Sequence, residues 1–544
     1  MDSNEQLELI RDAHGDRALL ALATVDLTFP DLPGSERTAL RSALEAAAVP
    51  HWCDTDILAK LTGDSGSPIP DQWERLKKVP VVEPFPARGA DAGNVHESNR
   101  LAIRHRLAET EQGRFKELSI RAARVFEADK RPIGRIEWTY HLLVADPERG
   151  AAVLEDLDRA WLGTARYEDI AALAAALSEL DTAQMLHGKP SVRARLIVAQ
   201  RRVDLAGAGS LGDLPTQLLQ EAEATGDARL IGDAYALAGE VAQARGDLAA
   251  AEQAYGQDLA ISERMAAMDP ANTGWQRDLA GAYSRVGDVA QARGDLAAAE
   301  QAYRQELAIS EKLAALEPDN TGWPRDLAVA YARIGDVAQA RGDLVAAEQA
   351  YGQELAISEK LAALDLANTS WQRELAVAYS RVGDVAQARG DLAAAEQAYN
   401  QDLAIAERMA AMDPANTTWQ RELAVTCARV GDVAQARGDV AAAEQAYRQY
   451  LAIFERLAGL DPANTGWQRE LAVAYSRVGD MAQARGDVAA AEQAYTQQLA
   501  IFERLAALNP ANTDWQQNLA IARSRMKNWR RSSRSRRSRP SPDD

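Results

Sequence analysis

The chain has 544 residues and a formal net charge of −19 at pH 7, and 47% of its residues are hydrophobic. Such an acidic body disfavours nucleic acid, and no apolar stretch reaches the roughly 18 residues that a membrane span needs. Cys53 and Cys427 are its only cysteines, which excludes a disulfide framework. We therefore expect a cytoplasmic protein with no signal peptide and no membrane partner.

The first region, residues 1–115, combines helical patterns with a β-rich end. Helices are predicted near residues 17–24, 36–48, 54–62 and 71–78, and a proline-punctuated, β-rich segment follows at residues 79–107. Short helices followed by a two-stranded wing are typical of a winged helix. A DNA-binding regulator is therefore an alternative function for the chain.

The segment from Val79 to Leu107 resembles the winged-helix segment of STAND-type signal-transducing NTPases. In that family this domain links a nucleotide-binding module to a repeat sensor, often of tetratricopeptide type. Val95, His96 and Glu97 stand where the family carries a motif whose histidine touches bound ADP, so the resemblance implies a nucleotide sensor at His96. The chain has no GxxxxGK[ST] loop, so the nucleotide module would be a separate partner. From its residues alone, the other interpretation of His96 is an ordinary histidine at a helix edge.

Residues 116–227 are predicted to be helical without a clear internal repeat. Helical patterns cover residues 117–127, 135–144 and 192–204. We interpret this region as degenerate helical pairs that join the first region to the array that follows.

Residues 228–526 form a repeat array, because a tryptophan and most of the sequence around it recur every 48 residues. The recurring tryptophans are Trp275, Trp323, Trp371, Trp419, Trp467 and Trp515. Apolar spacings of three and four predict two helices per unit. Gly294 fits the end of the first helix, and Asp295 fits the N-cap of the second. Thr273 and Gln276 have capping-box spacing. Six helix pairs and a terminal helix are expected.

The repeat resembles the tetratricopeptide repeat. Tyr283, Val286, Gly287 and Ala290 match that family's first-helix packing positions, and Ala299 and Tyr303 match its second-helix positions. The resemblance implies an all-α, right-handed helical-repeat solenoid that binds proteins and whose first helices line the binding face. The unit is longer than the usual repeat of about 34 residues. The leading hypothesis is a protein-interaction scaffold or sensor, similar to the C-terminal half of a STAND-type ATPase.

Two sets of residues are candidates for partner binding. Each first helix repeats an arginine and an aspartate three residues apart, which either contact a ligand or form ion pairs within the helix. These pairs are Arg285 and Asp288, Arg333 and Asp336, Arg381 and Asp384, Arg429 and Asp432, and Arg477 and Asp480. In later second helices Tyr450, Phe454 and Phe502 replace polar residues, and these aromatic side chains either bind a partner or repack the groove between repeats.

The C-terminal tail, residues 527–544, is rich in arginine and serine and is predicted to be disordered. Nucleic acid is expected as a partner only through this tail. The six histidines show no metal spacing, and no catalytic constellation is present. We therefore expect no enzymatic activity, no cofactor and no metal.

Overall fold

The computed structural model describes residues 11, 13, 15–63, 69–161, 167–317 and 320–537. Within these residues the chain forms 24 α-helices and one two-stranded sheet, which confirms the predicted all-α helical-repeat solenoid. The chain divides into two compact units, residues 1–293 and 294–544. The boundaries predicted at residues 115, 227 and 526 remain predictions. Among the described helices, none has the length and apolarity needed to cross a membrane.

From Arg17 onwards, the first described elements of the first unit are four helices and a hairpin. The elements are α1 (Arg17–Thr28), α2 (Gly34–Ala47), α3 (Thr55–Thr62), α4 (Ile69–Leu76), β1 (Val82–Pro84) and β2 (Gly93–Val95). The strands are antiparallel with Val82 opposite Val95, and a further antiparallel bridge joins Cys53 to Gly93. The predicted helices and hairpin are present, whereas the assignment as a winged helix remains a prediction.

The remainder of the first unit is helical. Its helices are α5 (Glu97–Thr110), α6 (Gln112–Phe126), α7 (Pro132–Ala145), α8 (Pro147–Trp161), α9 (Tyr167–Thr182), α10 (Gly188–Ala206), α11 (Leu214–Thr225), α12 (Ala228–Ala244), α13 (Leu248–Met268) and α14 (Thr273–Ala292). The last three of these helices belong to the sequence repeats, where α12 and α14 are first helices and α13 is a second helix.

Where the structure describes it, residues 294–317 and 320–537, the second unit consists of repeat helices. They are α15 (Leu296–Leu316), α16 (Gly322–Ala340), α17 (Leu344–Leu364), α18 (Thr369–Ala388), α19 (Leu392–Met412), α20 (Thr417–Ala436), α21 (Val440–Leu460), α22 (Thr465–Arg485), α23 (Val488–Leu508) and α24 (Thr513–Arg537). Helix α24 continues to Arg537, so the prediction of disorder from residue 527 is wrong as far as Arg537. Residues 538–544 lie outside the described residues.

The turn within each pair has the predicted chemistry. Gly390 adopts φ +82°, a left-handed conformation that favours glycine. The Asp391 side chain accepts a hydrogen bond from the Ala394 backbone N–H at 3.0 Å, and it thereby caps α19. The same glycine and aspartate recur at every turn of the second unit's pairs, so the sharp reversal is written into the sequence of each repeat.

The predicted capping box is wrong. The N-cap of α20 is Asn416, whose side chain accepts from the Trp419 backbone N–H at 3.1 Å. The glutamine that was expected to complete the box instead reaches the end of the preceding second helix, where Gln420 Nε2 donates to the Ala410 carbonyl at 3.1 Å. This bond satisfies a helix-end carbonyl and explains why Gln420 is buried.

Each repeat closes its core around a buried tyrosine. Tyr399 packs with Ala386 and Ala395 of its own pair and with Val433 of the next first helix. A Cβ placed at Gly383 would lie 2.5 Å from the Tyr399 ring, so only glycine allows this approach. Because the same cluster recurs around Tyr351 and Tyr447, each repeat buries its surface mainly against its neighbours.

Candidate partner-binding surface

The predicted arginines and aspartates share one face of each first helix with an apolar residue. On α18, Val377, Arg381 and Asp384 are spaced four and three residues apart, and Val377 is 42% exposed. Together we call these positions of the second unit the first-helix ladder. It comprises Val329, Arg333 and Asp336; Val377, Arg381 and Asp384; Val425, Arg429 and Asp432; Val473, Arg477 and Asp480; and Ile521, Arg525 and Asn528.

The ladder's ion pairs cross from one repeat to the preceding one. Arg381 Nη2 lies 3.5 Å from Asp336 Oδ2, and Arg429 Nη2 lies 3.4 Å from Asp384 Oδ2. Arg477 contacts Asp432 in the same way. Each of these three arginines therefore contacts the aspartate of the preceding repeat. Two of them extend over the tyrosine of the preceding second helix: the guanidinium carbon of Arg381 is 5.8 Å from the centre of the Tyr351 ring, and that of Arg477 is 5.2 Å from the centre of the Tyr447 ring.

A buried tyrosine holds each ladder aspartate. The Tyr399 hydroxyl lies 2.6 Å from Asp384 Oδ1 and 3.1 Å from Gln387 Oε1. Burial, reinforced by Asp384, raises the pKa of Tyr399, so the hydroxyl stays protonated and donates. Tyr351, Tyr447 and Tyr495 repeat this contact with Asp336, Asp432 and Asp480. The carboxylates are therefore held in fixed orientations.

Upstream arginines are also held by a buried acid on the preceding second helix. In the first unit, Arg285 of α14 lies 2.6 Å from Asp258. In the second unit, Arg333 lies 2.9 Å from Glu306, and Arg381 lies 2.6 Å from Glu354. Sequence analysis missed these acids, although their recurrence every 48 residues between apolar positions was a usable signal.

The pair of Arg381 and Glu354 shows the balance of forces in these upstream repeats. Burial raises the pKa of Glu354 to about 7, against the attraction of Arg381. Burial alone would lower the pKa of Arg381, but Glu354 and Asp336 together raise it. The positive charge of the Arg381 guanidinium is therefore balanced by Glu354 and Asp336, and it would gain little by binding a further anion.

Towards the C-terminus, the buried acid first bonds to hydroxyl groups instead of the arginine and is then replaced by residues without a carboxylate. Asp402 accepts hydrogen bonds from the hydroxyls of Ser380 at 2.6 Å and Thr426 at 3.0 Å, while Arg429 donates to Ser380 Oγ at 2.7 Å. In the following second helices, Tyr450 and Gln498 replace the acid. The last arginines of the ladder therefore lack this partner.

The aromatic candidates lie in the core. Tyr450 is 2% exposed, Phe454 is 0% exposed and Phe502 is 3% exposed. Tyr450 and Phe454 pack edge to face with ring centres 5.2 Å apart, and the Tyr450 hydroxyl donates to Glu470 Oε2 at 2.8 Å. These side chains repack the groove between repeats, the second of the two alternatives, and they offer no surface to a partner.

A second apolar row lies at the ends of the second helices and was not predicted. These residues of the second unit are between 57% and 71% exposed. They are Leu316, Leu364, Met412, Leu460 and Leu508. Exposed apolar rows are a common feature of protein interfaces, so this row is a competitor to the first-helix ladder.

His96 stands exposed at the N-cap of α5, directly after strand β2. Its backbone N–H donates to the Val81 carbonyl at 2.8 Å, and its ring Nδ1 lies 3.2 Å from Ser98 Oγ. The ring is therefore positioned by the hairpin and open to solvent. This placement fits both alternatives left open by the sequence.

The first unit also contains a buried polar network that sequence analysis missed. Arg104 is 0% exposed, donates from Nε to the Ala48 carbonyl at 2.8 Å and from Nη1 to the Tyr140 hydroxyl at 2.8 Å, and contacts Glu179. Tyr140 donates to Glu179 Oε1 at 2.7 Å. These residues come from distant parts of the sequence, so no local pattern reveals them.

Two histidines flank this network. His51 Nδ1 lies 2.8 Å from Glu137 Oε1, and the fully buried His141 has Nε2 3.4 Å from Glu137 Oε2. Burial alone would raise the pKa of Glu137, but the attraction of His51 and the contacts with His141 together outweigh it and hold that pKa well below its usual range. Nowhere in the described ranges do three or more histidine, cysteine or acidic residues form a group suited to a metal ion.

One comparison with a solved structure supports the fold, at a TM-score above 0.5. The crystal structure of a Signal Transduction ATPase with Numerous Domains (STAND) protein with a tetratricopeptide repeat sensor, from Pyrococcus horikoshii, matches 95% of this chain and 72% of its own, with a TM-score of 0.56 and 13% identity. The apo form of RapI matches 73% of this chain and 98% of its own, with a TM-score of 0.37 and 13% identity. The match to a Rap protein complexed with Competence and Sporulation Factor covers 74% of this chain and 99% of the Rap chain, with a TM-score of 0.39 and 13% identity. No family model and no curated protein matches the chain.

Proposed function

We propose that the chain is a non-catalytic scaffold or sensor module that binds a protein partner through the first-helix ladder. The observation that carries this proposal is the row of exposed valines, Val329, Val377 and Val425, in consecutive repeats at 38%, 42% and 36% exposure. Each valine precedes a half-exposed arginine and an aspartate fixed by tyrosine. A regular row of apolar residues, bordered by charges in fixed orientations, can bind a segment of a partner protein that lies along the array.

The proposed module is similar to the C-terminal half of a STAND-type signalling ATPase. The STAND protein from Pyrococcus horikoshii has a tetratricopeptide repeat sensor, and its fold covers nearly all of this chain. Exposed His96 at the end of the hairpin and the lack of a phosphate-binding loop in the sequence support a second partner, a separate nucleotide-binding module.

The test uses full-length chains that differ only in the surface altered. The first variant carries Val329→Asp, Val377→Asp and Val425→Asp, and the second carries Leu364→Asp, Met412→Asp and Leu460→Asp. All six positions are exposed, so both variants are expected to fold, as circular dichroism would verify. Tagged chains would capture proteins from a lysate of the source organism, and mass spectrometry would quantify them.

We expect at least one captured protein to be lost from the valine variant and retained by the leucine variant. Loss from the leucine variant alone would move the binding surface to the ends of the second helices. Equal capture by both variants and by the unmodified chain would reject the proposed function.

A further inference from the structure

The charge of the first-helix ladder changes along the second unit. On α16 and α18, one arginine faces two acids, the ladder aspartate and the buried acid of the preceding second helix. On α22, Tyr450 stands in place of the buried acid, so of these two acids Arg477 keeps only the aspartate of the preceding repeat, Asp432. On α24, Gln498 stands in place of the buried acid and Asn528 in place of the ladder aspartate, and Arg525 keeps only Asp480 of the preceding repeat, at 3.4 Å.

A substitution of the repeat glutamine also makes the C-terminal end of the ladder more positive. In four repeats the side-chain oxygen of a glutamine lies 2.9–3.1 Å from the tyrosine hydroxyl; these glutamines are Gln339, Gln387, Gln435 and Gln483. The corresponding residue of α24 is Arg531, which is exposed. Tyr450, Gln498, Asn528 and Arg531 therefore each make the same end of the ladder more positive, in a chain whose net charge is −19.

The environment of Arg477 shows the consequence. It keeps Asp432 and lies 3.2 Å from the Tyr447 hydroxyl, but Tyr450 has turned its own hydroxyl to Glu470. Burial lowers the pKa of Arg477, whereas the buried acid beside Arg381 keeps the pKa of that arginine raised. A partly buried arginine without this acid gains most from a carboxylate brought by a ligand.

We propose that the C-terminal end of the ladder, formed by Arg477, Arg525 and Arg531, binds an acidic segment of a protein partner. The carboxylate side chains of that segment pair with guanidinium groups whose buried acid is missing. This inference rests on the proposed function and specifies its partner. Nucleic acid is also anionic, but the chain carries a net charge of −19, which disfavours a long polyanion.

The first test measures binding of a fluorescein-labelled oligoglutamate peptide to the full chain by fluorescence anisotropy. We expect binding that weakens with added salt. Arg477→Gln and Arg525→Gln should each weaken it about tenfold, because each removes a charge-assisted hydrogen bond. The matched control is Arg304→Gln with Arg448→Gln, which removes equal charge from arginines 69% and 63% exposed on the second helices. The control should bind as the unmodified chain does.

The second test keeps every arginine. Gln498→Glu with Asn528→Asp restores the two acids that the upstream repeats carry at these positions, and it should weaken binding of the peptide about tenfold. This position accepts a glutamate, since Glu354 occupies it in α17. Conversely, Glu354→Gln removes the acid beside Arg381 and should add a second peptide site.

The inference is overturned if Arg477→Gln with Arg525→Gln and Gln498→Glu with Asn528→Asp both leave peptide binding unchanged, or if no peptide binds. Tighter binding of an oligothymidylate of equal charge than of oligoglutamate would also overturn it. If the oligoglutamate peptide does not bind while the variant with Val329→Asp, Val377→Asp and Val425→Asp still loses a captured protein, the proposed function stands. Only the preference for an acidic segment is then rejected.

Discussion

The buried network of the first unit and the first-helix ladder of the second unit use the same three groups: arginine, tyrosine and carboxylate. Arg104 is 0% exposed and donates to the hydroxyl of Tyr140, which in turn donates to Glu179. The Arg381 side chain is 30% exposed, lies over the ring of Tyr351 and pairs with Asp336. Identical chemistry thus produces a sealed cluster in one region and an open surface in the other.

The difference follows from how many helices surround the charges. Residues of α5, α7 and α9 and the carbonyl after α2 converge on Arg104, so solvent is excluded from every side. The ladder lies on one face of each first helix and is covered only from beneath, by the second helix. Fully buried charges can only stabilise the fold, whereas half-exposed charges can exchange their partners for a ligand.

The largest expected effect comes from opening the sealed network. Arg104→Leu removes the fully buried cation that pairs with Glu179 and the donor to the Ala48 carbonyl, and we expect it to lower the free energy of unfolding by about 3–5 kcal/mol. Urea unfolding followed by circular dichroism measures this, with the transition of the first unit monitored separately where the two units unfold apart. A loss below about 1 kcal/mol would mean that water reaches the cluster.

The second prediction concerns the packing beneath the ladder. A Cβ at Gly383 would lie 2.5 Å from the Tyr399 ring, so Gly383→Ala must displace the ring that orients Asp384. We expect a loss of about 1–3 kcal/mol. Gly352 is the matched control, because nothing lies within 4 Å of its Cβ position in the interior of α17. Gly352→Ala should stabilise by about 0.5–1 kcal/mol, and equal effects at both sites would contradict the packing described.

The sequence predicted most of the repeat fold because each repeat is stabilised locally. Gly390, Asp391 and the apolar spacings act within a few residues of one another, and their structures are as predicted. The capping box failed because Asn416 competes with threonine for the N-cap, and Gln420 finds a carbonyl ten residues away in sequence. Local pattern alone could not rank these two options.

The candidate site was predicted less well, because its partners lie in other repeats. The arginine and aspartate positions were recognised, but their pairing across repeats depends on the ring of the intervening tyrosine. Phe454 and Phe502 resembled surface anchors until their burial placed them in the core. The network around Arg104 joins residues more than 50 positions apart in sequence, as with Ala48 at a separation of 56, and no periodicity signals such contacts.

The third prediction uses pH to separate the two regions. Burial alone would lower the pKa of His51, but Glu137 outweighs it and raises that pKa, so this stabilisation is complete below about pH 6.5 and is lost as pH rises through the folded-state pKa. Burial lowers the pKa of His141, which acts in the opposite sense, and its contribution is lost as pH falls below about 6.5. The pKa values of Glu137 and Glu179 are held low, mainly by His51 and Arg104 respectively against burial, so their contribution is lost in acid below about pH 4.5.

His51→Gln should therefore cost more stability at pH 5.5 than at pH 8.5, by about 1 kcal/mol for each unit of pKa shift. Thermal melts of the variant and the unmodified chain at both pH values measure the difference. His105→Gln is the control, because His105 is exposed and its neighbour Glu109 is exposed as well. A cost independent of pH would show that folding leaves the pKa of His51 unchanged.

The smallest expected effect comes from the ladder itself. The Arg429 side chain is 35% exposed, and its partners are Ser380 and the half-exposed Asp384. Water and salt replace both partners at little cost when the arginine is removed, so Arg429→Gln should lower the free energy of unfolding by less than about 1 kcal/mol. Urea unfolding of this variant beside Arg104→Leu compares open and sealed arginines in one chain. A loss as large as that of Arg104→Leu would mean that the ladder stabilises the array, and its arginines would then be unable to exchange partners for a ligand.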